Sequence, residues 1–142
     1  MYTVDDVAEY IIMRCNQMDK NISNLKLQKV LYFVQAEFLV AKDQPCFSER
    51  IEAWDFGPVV PSVYQKYKVY GSANIPFMGE DCSHLFSIED KTLVDGIVDQ
   101  CAKYSASTLV QITHLQAPWQ NAYGARNNVI TPESINRFFK EA

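Results

Sequence analysis

The sequence predicts a mainly α-helical domain, a bundle around one buried central helix with a short β-strand or hairpin near residues 50–56. Three observations support this prediction. Residues 24–41 are apolar around almost the whole helical circumference, which is typical of a helix in the middle of a bundle. Several other segments combine a capping residue with helical periodicity. One segment alternates apolar and polar residues just before Gly57-Pro58, as a half-buried strand does.

The first two predicted helices cover residues 4–18 and 24–41. Thr3 precedes the first as a capping residue with Asp6 three positions later, and apolar residues then recur at helical spacing. The second helix carries a stripe of Leu27, Val30, Leu31, Val34 and Phe38, and a further apolar set of Leu25, Tyr32, Phe33, Ala36 and Leu39. The two sets leave little polar surface, so we expect this helix to form the core of the bundle.

The middle of the chain carries the strand signal. Residues 51–56 alternate apolar and polar side chains, and we expect Gly57-Pro58 to end this strand. Pro61 suits the first turn of a short helix over residues 62–68, and Gly71 is placed to stop it.

The rest of the chain is expected to be irregular first and helical afterwards. Residues 72–86 show no regular pattern apart from a short extended piece around Ile75–Met78. Ser87, Ser105 and Thr131 are then capping residues that precede apolar periodicity. The expected spans are a helix over 88–104, a helix over 106–115, a turn at 119–123 and a final helix from 132.

Composition and charge exclude several kinds of function. Acidic residues outnumber basic ones 17 to 13, for a net charge of −4, so a nucleic-acid partner is not expected. No apolar run approaches the roughly 18 residues of a membrane span, so no membrane segment is expected either. Polar residues interrupt the amino terminus and argue against a signal peptide. These features favour a cytoplasmic protein.

The four cysteines, Cys15, Cys46, Cys82 and Cys101, do not resemble a metal site. They form no C-x-x-C pair and match no zinc-site spacing, so we expect reduced thiols that are mostly packed in the interior. Cys82-Ser83-His84 offers too few ligands for a metal ion and is better explained as a loop.

Catalysis would rest on Cys46 as nucleophile, His114 as base and Asp55 as the orienting carboxylate. No glycine-rich elbow surrounds any cysteine or serine, and two histidines are few for acid–base chemistry. His114 lies near a predicted helix end, where a histidine commonly bonds a backbone carbonyl. Asp55-Phe56-Gly57 matches the kinase magnesium triplet by chance, because the other kinase motifs are absent. We therefore predict no catalytic residue, no metal and no cofactor.

Two sets of residues are candidates for contact with another protein. The first is a basic cluster with interleaved tyrosines: Lys26, Lys29, Lys66, Lys68, Tyr64, Tyr67 and Tyr70. It is either a solvated helix face or a surface for an acidic partner. The second is the pair of tryptophans, Trp54 and Trp119, which are either core residues or interface hot spots.

Several segments, taken together and in their order along the chain, match the sequence pattern of a known family. They are Lys26-Leu27-Gln28-Lys29-Val30-Leu31-Tyr32-Phe33, Glu52-Ala53-Trp54, Gly57-Pro58-Val59-Val60-Pro61, Tyr64 to Tyr67, Gly71, Thr113-His114 and Pro118-Trp119. The chain resembles the Panacea antitoxin domain, also called SocA-like, over about residues 3–139. Val30 departs from the pattern, in which we expect leucine, but the exchange is compatible with a core position.

The resemblance implies a non-enzymatic antitoxin, with residues 1–142 as a single domain. Members of this family neutralise protein toxins by direct contact, usually with the toxin encoded by an adjacent gene, and relatives occur on phages. One branch resembles a proteolytic adaptor that delivers its toxin to an ATP-dependent protease. Two alternatives remain open. One is a phage-encoded accessory protein or adaptor that binds a host protein, and the other is a hydrolase that uses His114.

The resemblance implies that its motif residues are mostly architectural, and we expect the variable surface between them to present the partner site. We expect an architectural role for Leu27, Tyr32, Phe33, Trp54, Gly57, Pro58, Pro61, Gly71 and His114. We expect the partner-binding face to include Lys29, Tyr64, Lys68 and Trp119.

Overall fold

Helices make up most of the computed structural model, which describes residues 1–141, and three short strands form one small sheet. The helices are α1 Val4–Gln17, α2 Asn24–Lys42, α3 Pro61–Tyr67, α4 Ile88–Cys101, α5 Ala106–His114, α6 Ala117–Ala122 and α7 Pro132–Glu141. The strands are β1 Ile51–Trp54, β2 Gly57–Val59 and β3 Val129–Ile130. Short 3-10 turns lie at Lys68–Tyr70 and Ser83–Leu85. The predicted fold class, mainly α with a short β-hairpin, is confirmed.

Side-chain caps begin the longer helices where the sequence predicts them. The hydroxyl oxygens of Thr3, Ser87 and Ser105 each accept a hydrogen bond from the backbone N–H three residues later. Each bond satisfies an N–H group that has no partner inside the helix, which contributes about 1 kcal/mol. Proline occupies the first helical position of α3 and α7, where its missing N–H group has no cost.

Helix α2 is the centre of the molecule, as predicted. It contacts α1, α3, α4, α5, α7 and β2, and its apolar side chains on opposite faces belong to the same continuous core. Leu27 and Leu31 are fully buried, as are Tyr32 and Val34. Burial of one such aliphatic side chain contributes roughly 1.5–3 kcal/mol, so α2 supplies much of the driving force for folding.

The polar side chains of α2 are buried as well, and they bind backbone groups of the segments around the helix. Gln35 accepts hydrogen bonds from the backbone N–H groups of Cys46 and Phe47, at 2.8 and 3.2 Å, and donates one to the carbonyl of Phe47 at 2.9 Å. These bonds satisfy buried backbone groups of the segment after α2, which also pairs with Tyr2 through an isolated bridge at Phe47. The sequence pattern predicts α2 as a core helix but gives no sign of this second role.

A second polar chain connects α2 to the segment between β2 and α3. Gln28 accepts a hydrogen bond from the Val60 backbone N–H at 2.9 Å and donates one to the side-chain oxygen of Asn24 at 2.9 Å. Asn24 in turn donates to the Tyr64 carbonyl at 3.1 Å. The two bonds of Gln28 are buried and the bond from Asn24 to Tyr64 is partly buried, so together they fix the start of α3 relative to the central helix.

The hairpin is longer than the sequence predicts. Gly57-Pro58 does not end the strand but begins β2, which pairs antiparallel to β1 with Trp54 opposite Gly57. Asp55 and Phe56 form the two-residue connection. Gly57 has φ +99°, a conformation that a glycine adopts without strain. Pro58 is tolerated because β2 is an edge strand in the order β2-β1-β3.

Two other expectations need correction. The piece around Ile75–Met78 is not a strand; Ile75 is buried and donates one backbone hydrogen bond to the Ile22 carbonyl at 2.9 Å. The sequence does not predict strand β3, because a strand of two residues is too short to show an alternation of apolar and polar side chains. The predicted further turn at 119–123 is confirmed as part of helix α6, which begins two residues earlier.

We expect Gly57→Ala to destabilise the fold by about 2 kcal/mol or more. A Cβ atom at this position would lie 2.5 Å from Lys29 Cε and 2.9 Å from Thr113 Oγ1, and the positive φ adds backbone strain. Gly96→Ala, inside α4 with no atom near the added carbon, is the matched control and should stabilise by about 0.5–1 kcal/mol. Urea denaturation measures both values, and equal effects of the two substitutions would contradict this account.

Candidate functional site

A cleft of about 960 Å³ opens beside the β1–β2 hairpin. The hairpin forms one wall, α3 with its following 3-10 turn forms the second, and the loop after α6 forms the third. Its chemistry is set by aromatic and cationic side chains, namely Trp54, Phe56, Tyr64, Lys68, Tyr123 and Arg126. We call this feature the aromatic cleft.

Trp54 and Tyr64 form an aromatic pair between β1 and α3. Their ring centroids are 5.1 Å apart and the planes meet at 65°, an edge-to-face arrangement that is favourable for aromatic rings. The indole N–H of Trp54 donates to the Glu52 carboxylate at 2.9 Å, and the Tyr64 backbone is held by Asn24. Both rings are half-buried, so each has a supported side and a side open to the cleft.

Three aromatic side chains, from α5, α6 and the residue after α6, support the hairpin, and the last of them, Tyr123, also lines the cleft. The rings of His114 and Trp119 have centroids 4.2 Å apart, and those of Trp119 and Tyr123 are stacked at 4.5 Å. The indole N–H of Trp119 donates to the Trp54 carbonyl at 2.8 Å. This stack therefore joins the helical part of the molecule to the cleft wall.

The connection between β1 and β2 is held at two points. His114 Nε2 lies 2.9 Å from the Asp55 carbonyl oxygen and donates to it, which is the bond expected of a histidine at a helix end. The Tyr123 hydroxyl donates to the Asp55 carboxylate, and this bond raises the pKa of Tyr123. Phe56, the other residue of the connection, is 67% exposed. A turn fixed on one side thus presents a large apolar side chain to solvent.

Lys29 lies beneath the hairpin, in the interior. Its exposed fraction is 0%, and its ammonium group donates to the Pro58 carbonyl at 3.0 Å. Burial lowers the pKa of Lys29 to about 7, because a charged ammonium is poorly solvated there. The expectation that Lys29 lies on an open partner-binding face is therefore corrected. A lysine is expected at the surface by residue type, but here α2 points it at the hairpin backbone.

The remaining candidates for partner contact occupy different positions around the cleft. Tyr64 and Lys68 line it, and Lys68 is exposed. Trp119 is half-buried behind Trp54 and supports the wall. The sequence interpretation missed Phe56 and Tyr123, whose exposed aromatic rings a pattern of local alternation does not distinguish from packed ones.

The motif residues assigned to architecture are placed throughout the frame. Leu27 and Tyr32 are fully buried, and the Tyr32 hydroxyl donates to Gln116 Oε1 at 2.7 Å. Phe33 is half-buried and packs edge-on against Phe139. Pro61 begins α3, and Gly71 follows the 3-10 turn with φ +57°.

Of the three groups considered for catalysis, His114 and Asp55 are in contact only through the Asp55 backbone carbonyl, and the Asp55 carboxylate is bound by Tyr123 instead. Cys46 is fully buried beside Gln35, and burial raises the pKa of its thiol to about 12, whereas the His114 ring bonds the hairpin backbone. All four cysteines are buried and form no disulfide within residues 1–141, which agrees with the prediction of packed, reduced thiols. Residues 1–141 contain no cluster of three or more potential metal ligands and no helix long and apolar enough to cross a membrane.

The sequence of the chain matches a known protein family. The family model described as "Antitoxin SocA-like, Panacea domain" matches residues 27–120, a range that includes α2 from Leu27 onward, the hairpin, α3 and Trp119. The chain belongs to this family.

A relative of this Panacea domain chain is antitoxin SocA of Caulobacter vibrioides (strain NA1000 / CB15N). The two sequences are 36% identical over 124 residues, which cover 80% of this chain and 66% of the relative. The chain thus spans slightly less than two thirds of the relative's length. No solved structure matches the chain.

We expect Lys29→Met to remove a pH dependence of stability. An unfolded lysine has a pKa near 10.4, so between that value and the folded pKa of about 7 the unfolded chain binds more protons. Stability therefore rises with pH through this window, and for Lys29 the gain from about pH 6 to about pH 8 is roughly 1 kcal/mol.

Urea denaturation of the wild type and Lys29→Met at both pH values measures this gain, because contributions shared by the two proteins cancel in the difference. Lys103→Met, at an exposed position, is the control and should keep the wild-type dependence. An unchanged dependence in Lys29→Met would show that Lys29 is not held in the interior.

Proposed function

We propose that this chain is an antitoxin that neutralises a protein toxin, encoded by an adjacent gene, by direct binding in the cytoplasm, and that the aromatic cleft is its contact face. The observation that carries the proposal is the hairpin tip. Phe56 is 67% exposed although the turn that bears it is anchored by His114 and Tyr123. Membership of the Panacea domain family and the similarity to an antitoxin support the same function.

A rigid aromatic surface is well suited to protein recognition. Aromatic residues are enriched at interface hot spots, where their burial supplies a large share of the binding free energy. The Trp54 indole is held by Glu52, and the Tyr64 backbone is held by Asn24. These groups are therefore ordered before the partner binds, and binding costs little further conformational entropy there. The cleft therefore needs no large rearrangement to receive a partner.

The area of the molecule is sufficient for stable binding. A standard protein–protein interface buries about 800 Å² on each partner, and this chain exposes 7590 Å² in total. About a tenth of the surface is thus enough for a standard interface. We propose that residues 1–142 act as a single domain and that binding alone silences the toxin, without catalysis, metal or cofactor.

Expression of the adjacent gene with and without this chain tests the function. We expect growth arrest when the adjacent gene is induced alone, relief of arrest when this chain is co-expressed, and a complex of the two proteins on co-purification. Toxin abundance measured in the rescued cells distinguishes occlusion, in which the toxin persists, from delivery to an ATP-dependent protease, in which it disappears. Arrest that this chain does not relieve would contradict the proposal.

We expect Phe56→Ala to weaken toxin binding by about tenfold or more, because it removes an aromatic side chain from the centre of the contact face. Since Phe56 is largely exposed, the thermal midpoint of unfolding should not fall. Tyr104→Ala, at a position that is 47% exposed and does not line the cleft, is the matched control and should bind as the wild type does. Calorimetric titration measures both affinities; equal loss in the two variants would place the contact face elsewhere.

A further inference from the structure

The charges at the aromatic cleft identify the chemistry of its occupant, and this step rests on the proposed function of the same surface. Lys68 and Arg126 both line the cleft, one in the 3-10 turn after α3 and the other in the loop after α6. Both are exposed. Neither forms an ion pair or a side-chain hydrogen bond within residues 1–141, whereas Arg14, Lys42 and Arg50 all have carboxylate partners there.

The anionic groups near the cleft are already engaged. Asp55, the one acidic residue among those that line it within residues 1–141, accepts the hydroxyl of Tyr123. Glu52, beneath Trp54, accepts the indole N–H and pairs with Arg50 at 2.6 Å. The lining therefore carries two positive charges, from Lys68 and Arg126, against the one negative charge of Asp55. The chain as a whole has a net charge of −4. This local reversal of charge favours an anionic occupant.

The lining also contains a group of aromatic side chains, beside the neutral polar side chains of Asn24, Gln28, Ser72 and Asn128. Trp54 and Tyr64 present open ring faces, and the largely exposed Phe56 and the partly exposed Tyr123 border the same space. A free carboxylate or phosphate ion would leave these rings exposed to water. An occupant that satisfies both features carries an apolar or aromatic side chain for the walls and carboxylates for the rims.

We infer that the aromatic cleft binds a segment of the toxin in which acidic residues flank an aromatic or aliphatic anchor. The anchor packs against the Trp54–Tyr64 pair, and the flanking carboxylates pair with Lys68 and Arg126. A protein segment is favoured over single-stranded nucleic acid, because the net charge of −4 repels a phosphate chain outside the cleft. The apolar anchor thus supplies most of the binding affinity, and the two ion pairs fix the position of the segment along the cleft.

Selection from a phage-displayed library of random peptides tests the inference without requiring the toxin. The full-length chain is immobilised, and the double variant Lys68→Glu/Arg126→Glu is immobilised in parallel. We expect the wild type to enrich peptides with aspartate or glutamate on both sides of an aromatic or aliphatic residue, and the double variant to lose that enrichment. Absence of such a consensus, or its persistence in the double variant, would overturn the inference.

Affinity measurements on a selected peptide and on the toxin give the second readout. Lys68→Glu/Arg126→Glu should weaken binding by about tenfold or more and reduce its dependence on salt concentration. The matched control is Lys20→Glu/Lys103→Glu, which makes the same charge change at exposed positions outside the cleft and should change binding by less than about twofold. Equal effects of the two double variants would show that net charge alone acts.

The two proposals fail separately in these experiments. If this chain binds the toxin and relieves arrest while the cleft variants bind as well as the wild type, the antitoxin function stands and the inference about the cleft is wrong. If an acidic consensus is selected but the adjacent gene product is neither bound nor neutralised, the cleft is an acidic-segment site and the toxin assignment is wrong. Binding of a fluorescent single-stranded oligonucleotide as tight as that of the selected peptide would also overturn the inference.

Discussion

The contact between buried polar groups of α2 and the backbone of the hairpin is the constraint on which the rest of the structure depends. Lys29 Nζ reaches the Pro58 carbonyl at 3.0 Å, and the space above its aliphatic chain is so narrow that only glycine fits at position 57. Gln28 fixes the next part of the chain through the Val60 backbone N–H. Burial of an ammonium group with a single acceptor is costly, so this arrangement is maintained at the expense of stability.

This constraint explains why the cleft has a defined shape. The hairpin is held from below by α2 and from behind by His114 and Trp119, so its connection keeps one position relative to α3. The exposed ring of Phe56 is therefore carried by a rigid support rather than by a free loop. Preorganisation of this kind lowers the entropy lost on binding, which suits the proposed function of binding a partner protein.

Local signals in the sequence predict much of the fold but little of the site. The caps at Thr3 and Ser105 depend on neighbours a few residues away, and the apolar circumference of α2 is visible in one segment. The cleft is not visible in this way, because its lining comes from segments far apart in sequence. Helices α4, α5 and α6 lie between the hairpin and Arg126 in the sequence. Lys29 shows the same limit: whether a lysine in a helix is exposed depends on what covers that helix.

Hydrogen exchange of the free chain and of its complex with the toxin tests most directly whether the supported cleft is the contact face. The account predicts slower exchange in the complex at residues 53–59, 64–72 and 123–128, with the free chain already protected at the strand positions that α2 holds. Protection confined to the surfaces of α4 and α7, with unchanged exchange around the hairpin, would contradict it. In that case the buried lysine and the aromatic stack would support the fold alone.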